Sequence, residues 1–488
     1  MPFWSPDGRS VAFYAEGLLK RIELADGLVR TLTGATAGVG GAWNGDDVIL
    51  LVQNPASPIH RISADGGIPS AVTRIERGHT GHAFPDFLPH GRHFLYFVQG
   101  SADVRGVYVG QLDAWTARKL FDADSPAVYA SNHLLFVRGA TLYAQPVDVA
   151  RWNLTGTPVP VAADVMGSML TNARAGLSAT AGGTVAFRAG SASADRQFAW
   201  VDRSGHEIGT VGAPDSGDVI SPSLSPDGAS VAFLRRVNGN TDVWLLEMRR
   251  GLLSRFTDHG AEDIFPLWSR DGARIVFTST RNGGFDLYQK PTTGAGLEEL
   301  LLPGREETFA CDWSPDGRVL LYGRRSAETG FDLWALPLGG GARPFPVIQT
   351  PHDEKDGQFS PDGTQIAFHS NRSGRFETYV QPFPGVGTAV RVSTKGGAQV
   401  RWRPDGRELF YIALDGRMMA APIQLHADDQ VVVGIPVPLF GTRVGRVITP
   451  VGTQYAVSPD GQRFIMNTVV GHIGPTPIRL IVNWHPRP

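Results

Sequence analysis

The segment SPDGASVAF at residues 225–233 carries the pattern that decides the fold. Proline presets the φ angle of the first turn position, aspartate tolerates the second, and glycine accepts the left-handed position that follows. Since a short apolar run precedes the loop and another follows it, the segment predicts a tight hairpin between two short strands. The same tetrapeptide recurs at residues 5–8, 314–317, 360–363 and 458–461.

Variants of this loop extend the repeat through the chain, at residues 88–91, 269–272 and 403–406. From Asp227 onward, the loop aspartates follow one another at intervals of 43–46 residues, with one final interval of 55. The first four intervals also hold a polar turn, a third strand that carries an acid before an aromatic residue, and a fourth strand. Four short strands in about 45 residues are one blade of a β-propeller.

The number of repeats predicts two rings. The chain has 488 residues, and we count about eleven four-stranded blades, more than the roughly four to eight of a single propeller. We therefore expect an all-β fold of tandem β-propellers. Residues 1–195 would form a first ring of about five blades that lacks one blade upstream, and residues 196–488 a second, six-bladed ring.

One column of large apolar residues stands just before the first hairpin of successive repeats. We expect these side chains to wedge between neighbouring blades and to serve packing rather than ligand binding. The tryptophans of this column are Trp4, Trp43, Trp268, Trp313 and Trp402.

Composition and charge exclude several classes of protein. The formal net charge is -2, and no basic run interleaved with aromatic residues offers a surface for nucleic acid. The single cysteine, Cys311, allows neither an intrachain disulfide nor a multi-cysteine zinc site. No apolar run reaches the roughly 18 residues of a membrane span, and residues 1–10 do not read as a signal peptide. These features do not assign the protein to a cellular compartment.

The repeats resemble the TolB-like, WD-repeat-like β-propeller family, and in particular the propeller region that lies C-terminal to many bacterial serine/threonine protein kinases. The resemblance implies a sensory or scaffolding role, on the extracytoplasmic side where such a kinase is membrane-anchored. A kinase domain is absent, since the chain has no glycine-rich phosphate loop, His-Arg-Asp or Asp-Phe-Gly motif. The stretches that carry the resemblance are 2–8, 86–97, 286–291, 376–385 and 480–484.

Catalytic and metal-binding patterns are weak. The sequence contains no Gly-x-Ser-x-Gly nucleophile elbow. Of the positions just before the aromatic column, where a metal would need converging carboxylates, only Asp86 and Asp312 are acidic, and we assign them to different rings. We expect no cofactor and no enzyme activity. The alternative is a propeller-type hydrolase, or the gating domain of a serine peptidase whose catalytic domain is absent.

The loops that enter the inner strands of the second ring are rich in charge. A solvated polar rim explains them, and a docking surface for a protein or peptide of complementary charge is the sharper alternative. The sequence thus favours a non-catalytic binding module for protein–protein interaction or sensing. The rim residues are Glu262, Asp263, Glu306, Glu307, Asp353 and Glu354 on the acidic side, with Arg443 and Arg446 on the basic side.

Overall fold

The structure is a computed structural model, and its described residues fold into two compact units. They form strands, turns and bends without a helix, so none of them belongs to a helix that could cross a membrane. One unit comprises Met1–Ala192 with Ile473–Pro488, and the other Ser193–His472. The description covers the chain except residues 1, 16, 36–37, 55, 101–102, 166, 169–173, 190–194, 218, 238–239, 283, 294–295, 305, 327, 340–342, 386, 427–429, 445–446, 449–451, 471–476 and 486–488.

The repeated hairpin is held by its own side chains. Ser225 Oγ donates to Asp227 Oδ1 at 2.6 Å and accepts the N–H of Ser230 at 2.9 Å. Gly228, with a φ of +70°, closes the turn by donating its N–H to Ser225 O at 2.8 Å. The serine fixes the aspartate, which in turn accepts the N–H two residues further on, so four residues define the bend. The same Ser–Asp hydrogen bond recurs in the hairpins that begin at Ser5, Ser269, Ser314, Ser360 and Ser458.

In the first unit the strands follow the repeat in chain order. The sheets are β1–β4, β5–β8, β9–β12 and β13–β17, with a separate β18–β19 pair and the β20–β21 hairpin. The strands are β1 (Phe3–Trp4), β2 (Ser10–Ala15), β3 (Leu18–Glu23), β4 (Val29–Gly34), β5 (Gly41–Trp43), β6 (Val48–Val52), β7 (Ile59–Ser63), β8 (Ser70–Ala71), β9 (His79–Phe87), β10 (His93–Gly100), β11 (Gly106–Gln111), β12 (Ala114–Phe121), β13 (Ala127–Ala130), β14 (His133–Arg138), β15 (Thr141–Asp148), β16 (Asn153–Leu154), β17 (Val159–Ala162), β18 (Gly167–Ser168), β19 (Arg174–Ala175), β20 (Leu177–Ala179) and β21 (Val185–Arg188).

In the second unit the described strands form six antiparallel sheets. The strands are β22 (Arg196–Asp202), β23 (Glu207–Asp215), β24 (Ile220–Leu224), β25 (Ser230–Val237), β26 (Asn240–Glu247), β27 (Leu252–Arg255), β28 (Asp263–Trp268), β29 (Arg274–Ser279), β30 (Asp286–Pro291), β31 (Glu299–Leu302), β32 (Thr308–Trp313), β33 (Val319–Ser326), β34 (Gly330–Pro337), β35 (Phe345–Ile348), β36 (Glu354–Phe359), β37 (Gln365–Ser370), β38 (Glu377–Pro382), β39 (Val390–Arg391), β40 (Ala398–Trp402), β41 (Glu408–Ile412), β42 (Arg417–Leu425), β43 (Val431–Val433), β44 (Val437–Gly441), β45 (Tyr455–Val457) and β46 (Arg463–Val469).

The second unit closes into a ring because its first and last strands share one sheet. That sheet has the order β23-β22-β46-β45, so the start of the unit supplies the outer strands of the last blade. The hairpins also meet around a circle: a side-chain carbon added at Gly228 would lie 3.3 Å from the ring of Pro459, the proline of the last hairpin. Closure gives β22 an inner neighbour, and the edges that remain belong to the innermost and outermost strand of each sheet. The prediction of an all-β, tandem-propeller fold is confirmed.

The end of the chain departs from the sequence prediction, which placed all of 196–488 in the second ring. The last strand, β47 (Ile478–Ile481), pairs with β21 of the first unit, with Ile481 opposite Val185. Trp484 follows it and is buried, donating its N–H to Gly183 O at 2.8 Å. Burial of Trp484, with the partly buried Ile481, explains the pairing, since the hairpin β20–β21 gains a third strand and a large side chain over its core.

The tryptophan column packs between sheets at four of its five predicted positions. Trp43, Trp313 and Trp402 are buried, each in a cluster that joins two neighbouring sheets, and the half-buried Trp268 packs on another such cluster. Trp4 differs, because 62% of its surface is exposed. No described sheet covers that face of β1–β4, which accounts for the difference.

Candidate functional site

A recurring backbone irregularity shapes the inner strands. Ser221, Phe265, Asp356 and Gln399 all have φ angles between 50° and 57°, in the left-handed region. Each lies three residues before the aromatic column and coincides with a register shift in its strand pair. A β-bulge of this kind re-aims side chains, and a non-glycine residue in this region costs about 1–3 kcal/mol, which is typical of functional positions.

These inner strands surround a cavity of about 450 Å³ in the second unit. The bulge residues Ser221, Phe265 and Asp356 line it, together with prolines of the hairpins and aromatic rings. The volume falls within the roughly 300–1,000 Å³ of sites that enclose small ligands. All six positions that directly precede the aromatic column in this ring also line the cavity: Ser223, Leu267, Asp312, Gln358, Arg401 and Ala456.

Asp312 is the first of two buried carboxyls in the cavity. Its Oδ1 lies 3.1 Å from Arg270 Nη2, and its Oδ2 accepts the N–H of Phe359 at 3.0 Å. Burial raises the pKa of Asp312, against the opposing effect of Arg270. In the hairpin at residues 269–272, SRDG replaces SPDG. Arg270 therefore stands where the other hairpins have proline, and it places a cation at the cavity.

Asp356 is the second carboxyl, and its ion-pairing partner lies further away than that of Asp312. It is 8% exposed, and its closest ion-pairing atom is His369 Nδ1 at 3.6 Å. That nitrogen accepts the N–H of Gln399 at 3.4 Å, so it carries no proton to donate to Asp356. Burial raises the pKa of Asp356 to about 6 and, together with nearby cations, lowers that of His369 well below its usual value. Sequence reasoning counted Asp356 among the charged loop residues and did not place it in the cavity, because the bulge displaces it from the position that was expected to converge.

Arg401 supplies a second cation to the cavity. Its Nη1 donates to Val400 O at 2.7 Å. Its charge lowers the pKa of both Asp312 and Asp356. Within the described part of the chain, however, no carboxylate oxygen lies within 4.0 Å of its guanidinium nitrogens. The half-buried Arg401 therefore has donors to spare.

The nucleophiles at the cavity wall are not activated. Burial raises the pKa of the Cys311 thiol, which disfavours the reactive thiolate. Ser221 Oγ is buried without a hydrogen-bond partner, so no base is positioned to take its proton. Among the described residues no group of three His, Cys, Asp or Glu side chains could hold a metal ion. The arrangement is suited to binding.

The predicted acidic rim is largely neutralised within the chain. Asp263 is buried against Arg281, with Oδ1 and Nη2 3.0 Å apart. Glu306 pairs with Arg324, and Glu307 with Arg325. Each arginine approaches from the end of a second strand or the turn beyond it, so these pairs pin the inner strands to their own sheets rather than present free charge. Glu262 is half-buried at the end of the loop that precedes β28.

The remaining rim residues follow the same trend. Asp353 lies 3.6 Å from Lys355 Nζ, and the fully buried Glu354 accepts from Ser370 Oγ at 3.0 Å. Burial raises the pKa of Glu354 to about 7. The exposed Arg443 pairs with Glu207 at 2.8 Å, and Arg446 lies outside the described residues. A partner would have to compete with these internal pairs, so rim docking remains a prediction.

Comparison with known proteins supports the propeller type. Residues 206–343 match the family model of the TolB beta propeller domain. A stretch of 137 residues is 34% identical to Tricorn protease homolog 1 of Streptomyces coelicolor, covering 26% of this chain and 12% of that protein. A stretch of 112 residues is 31% identical to the uncharacterized peptidase YuxL of Bacillus subtilis, covering 21% and 17%.

A solved structure, that of putative TolB from Agrobacterium tumefaciens, aligns with 59% of this chain and 99% of that chain, at 19% identity and a TM-score of 0.44. The chain spans less than a fifth of the length of the two relatives named above. The match of residues 206–343 to the family model supports the TolB-like part of the resemblance. These matches give no support to the kinase-associated part, which remains a prediction.

Proposed function

We propose that the chain is a non-catalytic binding module, and that the cavity of its second unit takes up a segment of a peptide or protein. The observation that carries the proposal is the cavity itself, because six inner strands contribute side chains to it. Strained backbone at Ser221, Phe265 and Asp356 indicates that the position of these side chains is maintained at a cost.

The composition of the walls favours a peptide over a small polar metabolite. Phe265 and Phe309 pack edge to face, with ring centroids 6.0 Å apart, and Trp402 adds a third aromatic wall. Apolar walls with a few polar groups are typical of sites that bury most of a ligand's surface. Hairpin prolines at the mouth add rigid apolar contact area with little entropy to lose on binding.

A cavity-filling variant tests this function. Ala456 lines the cavity, so Ala456→Trp should block it, whereas Leu297→Trp places the same side chain at a position that is 88% exposed. Fluorescence anisotropy with labelled pools of randomised hexapeptides would measure binding, and thermal unfolding would verify both folds. We expect binding by the wild type and by Leu297→Trp, and loss of binding by Ala456→Trp. Equal binding by all three proteins would refute the proposal.

A second candidate function is the gating of a peptidase, favoured by the names of the two relatives that match parts of this chain. The chain by itself would then bind peptides without cleaving them. A panel of chromogenic peptidase and esterase substrates separates binding from catalysis. Turnover that disappears in Ser221→Ala or Cys311→Ala would show that the chain is an enzyme and contradict both candidates.

A further inference from the structure

We propose that the cavity of the second unit recognises a carboxylate of its peptide ligand through Arg401. The inference rests on the proposed function and adds the chemical group that gives the site its specificity. The carboxylate belongs either to the C-terminus of the peptide or to an acidic side chain, and both sources offer the same two oxygens to a guanidinium group.

The first argument is the inequality of the two cavity arginines. Arg270 is committed, because its Nη2 contacts both oxygens of Asp312 at 3.1 and 3.2 Å and the O of Trp313 at 2.9 Å. Arg401 spends one of its five N–H donors on Val400 O. A half-buried guanidinium with free donors favours a planar, bidentate acceptor, and carboxylate is such an acceptor.

Below about pH 6 the charge balance of the cavity favours a ligand with one negative charge. The Arg270–Asp312 pair cancels itself, and the remaining groups are Arg401 and Asp356. Because burial raises the pKa of Asp356 to about 6, this carboxyl is mostly neutral below that pH, and the charge of Arg401 then has no partner in the cavity. A monoanion restores neutrality, whereas a dianion such as phosphate would meet two neighbouring carboxyls in a site of low dielectric.

A buried hydroxyl gives independent evidence for a polar ligand. Ser221 is 7% exposed, lines the cavity, and has an Oγ without a hydrogen-bond partner. A buried polar group without a hydrogen-bond partner is unfavourable, so a ligand that supplies the missing partner binds more tightly. We assign Ser221 Oγ to a polar group of the ligand.

The test uses the full chain and labelled randomised hexapeptide pools in three forms. The first pool has a free C-terminal carboxylate and no acidic residue. The second has the same composition with an amidated C-terminus, and the third is amidated with one glutamate. We expect one or both carboxylate-bearing pools to bind about tenfold or more tightly than the neutral pool, since a hydrogen bond to a charged group is worth that factor.

Three arginine variants locate the effect. Arg401→Gln should lower binding of the preferred pool about tenfold, to the level of the neutral pool, and Arg401→Lys should fall between because it keeps the charge but not the bidentate geometry. Arg417→Gln, an exposed residue of the same sheet, should bind as the wild type does. Thermal unfolding verifies each fold, and the comparison of pools on the wild type stands even where a variant fails to fold.

The outcomes separate the two proposals. Binding of all three pools with equal affinity, or an Arg401→Gln variant that keeps its preference for carboxylate, overturns the carboxylate inference and leaves peptide binding intact. Failure of every pool to bind the wild type overturns both. Preference for the first pool identifies the C-terminus as the source of the carboxylate, and preference for the third identifies a side chain.

Discussion

At the residue scale, the buried carboxyl of Asp356 links the cavity to pH. Its pKa is raised to about 6 from 3.8, so the folded state binds this proton more tightly than the unfolded state does. The stability that it contributes is complete below about pH 4 and is lost as pH rises through 6. Over that window the loss is on the order of 3 kcal/mol, since one pKa unit corresponds to about 1.4 kcal/mol.

Urea unfolding between pH 4.5 and 7.5 measures this loss. We expect the free energy of unfolding to fall across the window, and Asp356→Asn to reduce the fall, because asparagine tolerates the φ of 50° and cannot ionise. Asp415→Asn, at an exposed turn, should leave the slope unchanged. A slope that is the same in Asp356→Asn as in the wild type would show that the carboxyl ionises normally in the fold.

Trp313 makes the packing of the column measurable. It is 6% exposed and lies between Val276 and Leu287 of one sheet and Leu320 of the next. Trp313→Ala should lower the free energy of unfolding by about 3–5 kcal/mol, because the cavity that remains cannot collapse between rigid sheets. Leu297→Ala, at an exposed position, is the matched control and should change stability by less than about 0.5 kcal/mol. Equal stabilities of the two variants would contradict the wedge.

Trp313 and Asp356 show which parts of the site could be predicted from the sequence and which could not. Trp313 and Asp312 could be placed because their distance from the hairpin is constant from repeat to repeat. Asp356 could not, because a bulge adds one residue and changes the face on which a side chain lies. The Arg270–Asp312 pair was equally hidden, since it joins two blades whose side chains the repeat does not relate.

At the scale of the element, the hairpin bend requires a positive φ angle at its glycine. Gly317 has a φ of +68°, and an added side-chain carbon would meet nothing within 4 Å, so only backbone strain opposes substitution. Gly317→Ala should cost about 1–2 kcal/mol. Gly317→Asn should cost less, because asparagine populates this region more readily. Thermal unfolding of both variants measures the difference, and Gly260→Ala, in an open loop without positive φ, is the control.

The strand β47 shows the limit of prediction for elements. Local repeats fix which segments become strands, and the sequence indicated the hairpins, the third strands and the ring of six. The pairing of Ile478–Ile481 with Val185–Arg188 joins segments almost 300 residues apart, and no local pattern encodes it. Its side chains are mostly exposed, as in other outer strands, so the local sequence does not indicate which strand it pairs with.

At the scale of the whole molecule, the closing sheet of the second unit predicts where the chain can be divided. The strands β22 and β23 at the start of the unit pair with β46 near its end, with Arg196 opposite Val469. Arg196 also donates to Asn467 O at 3.1 Å, and Asn467 Nδ2 donates to Val219 O. Ring closure therefore depends on contacts between residues about 270 positions apart, which a truncation removes all at once.

We expect a fragment of residues 193–472 to fold by itself, because it contains every strand of the six sheets and of the cavity. A fragment of residues 193–452 keeps five sheets but loses β45 and β46, so β22 has no inner strand to pair with and the apolar faces at the opening meet water. Gel filtration and urea unfolding should show a compact, cooperative domain for the longer fragment and an aggregated or non-cooperative one for the shorter. A cooperative transition of the same midpoint in both fragments would mean that closure contributes nothing to stability, and that the sheets stack as independent pairs rather than as a ring.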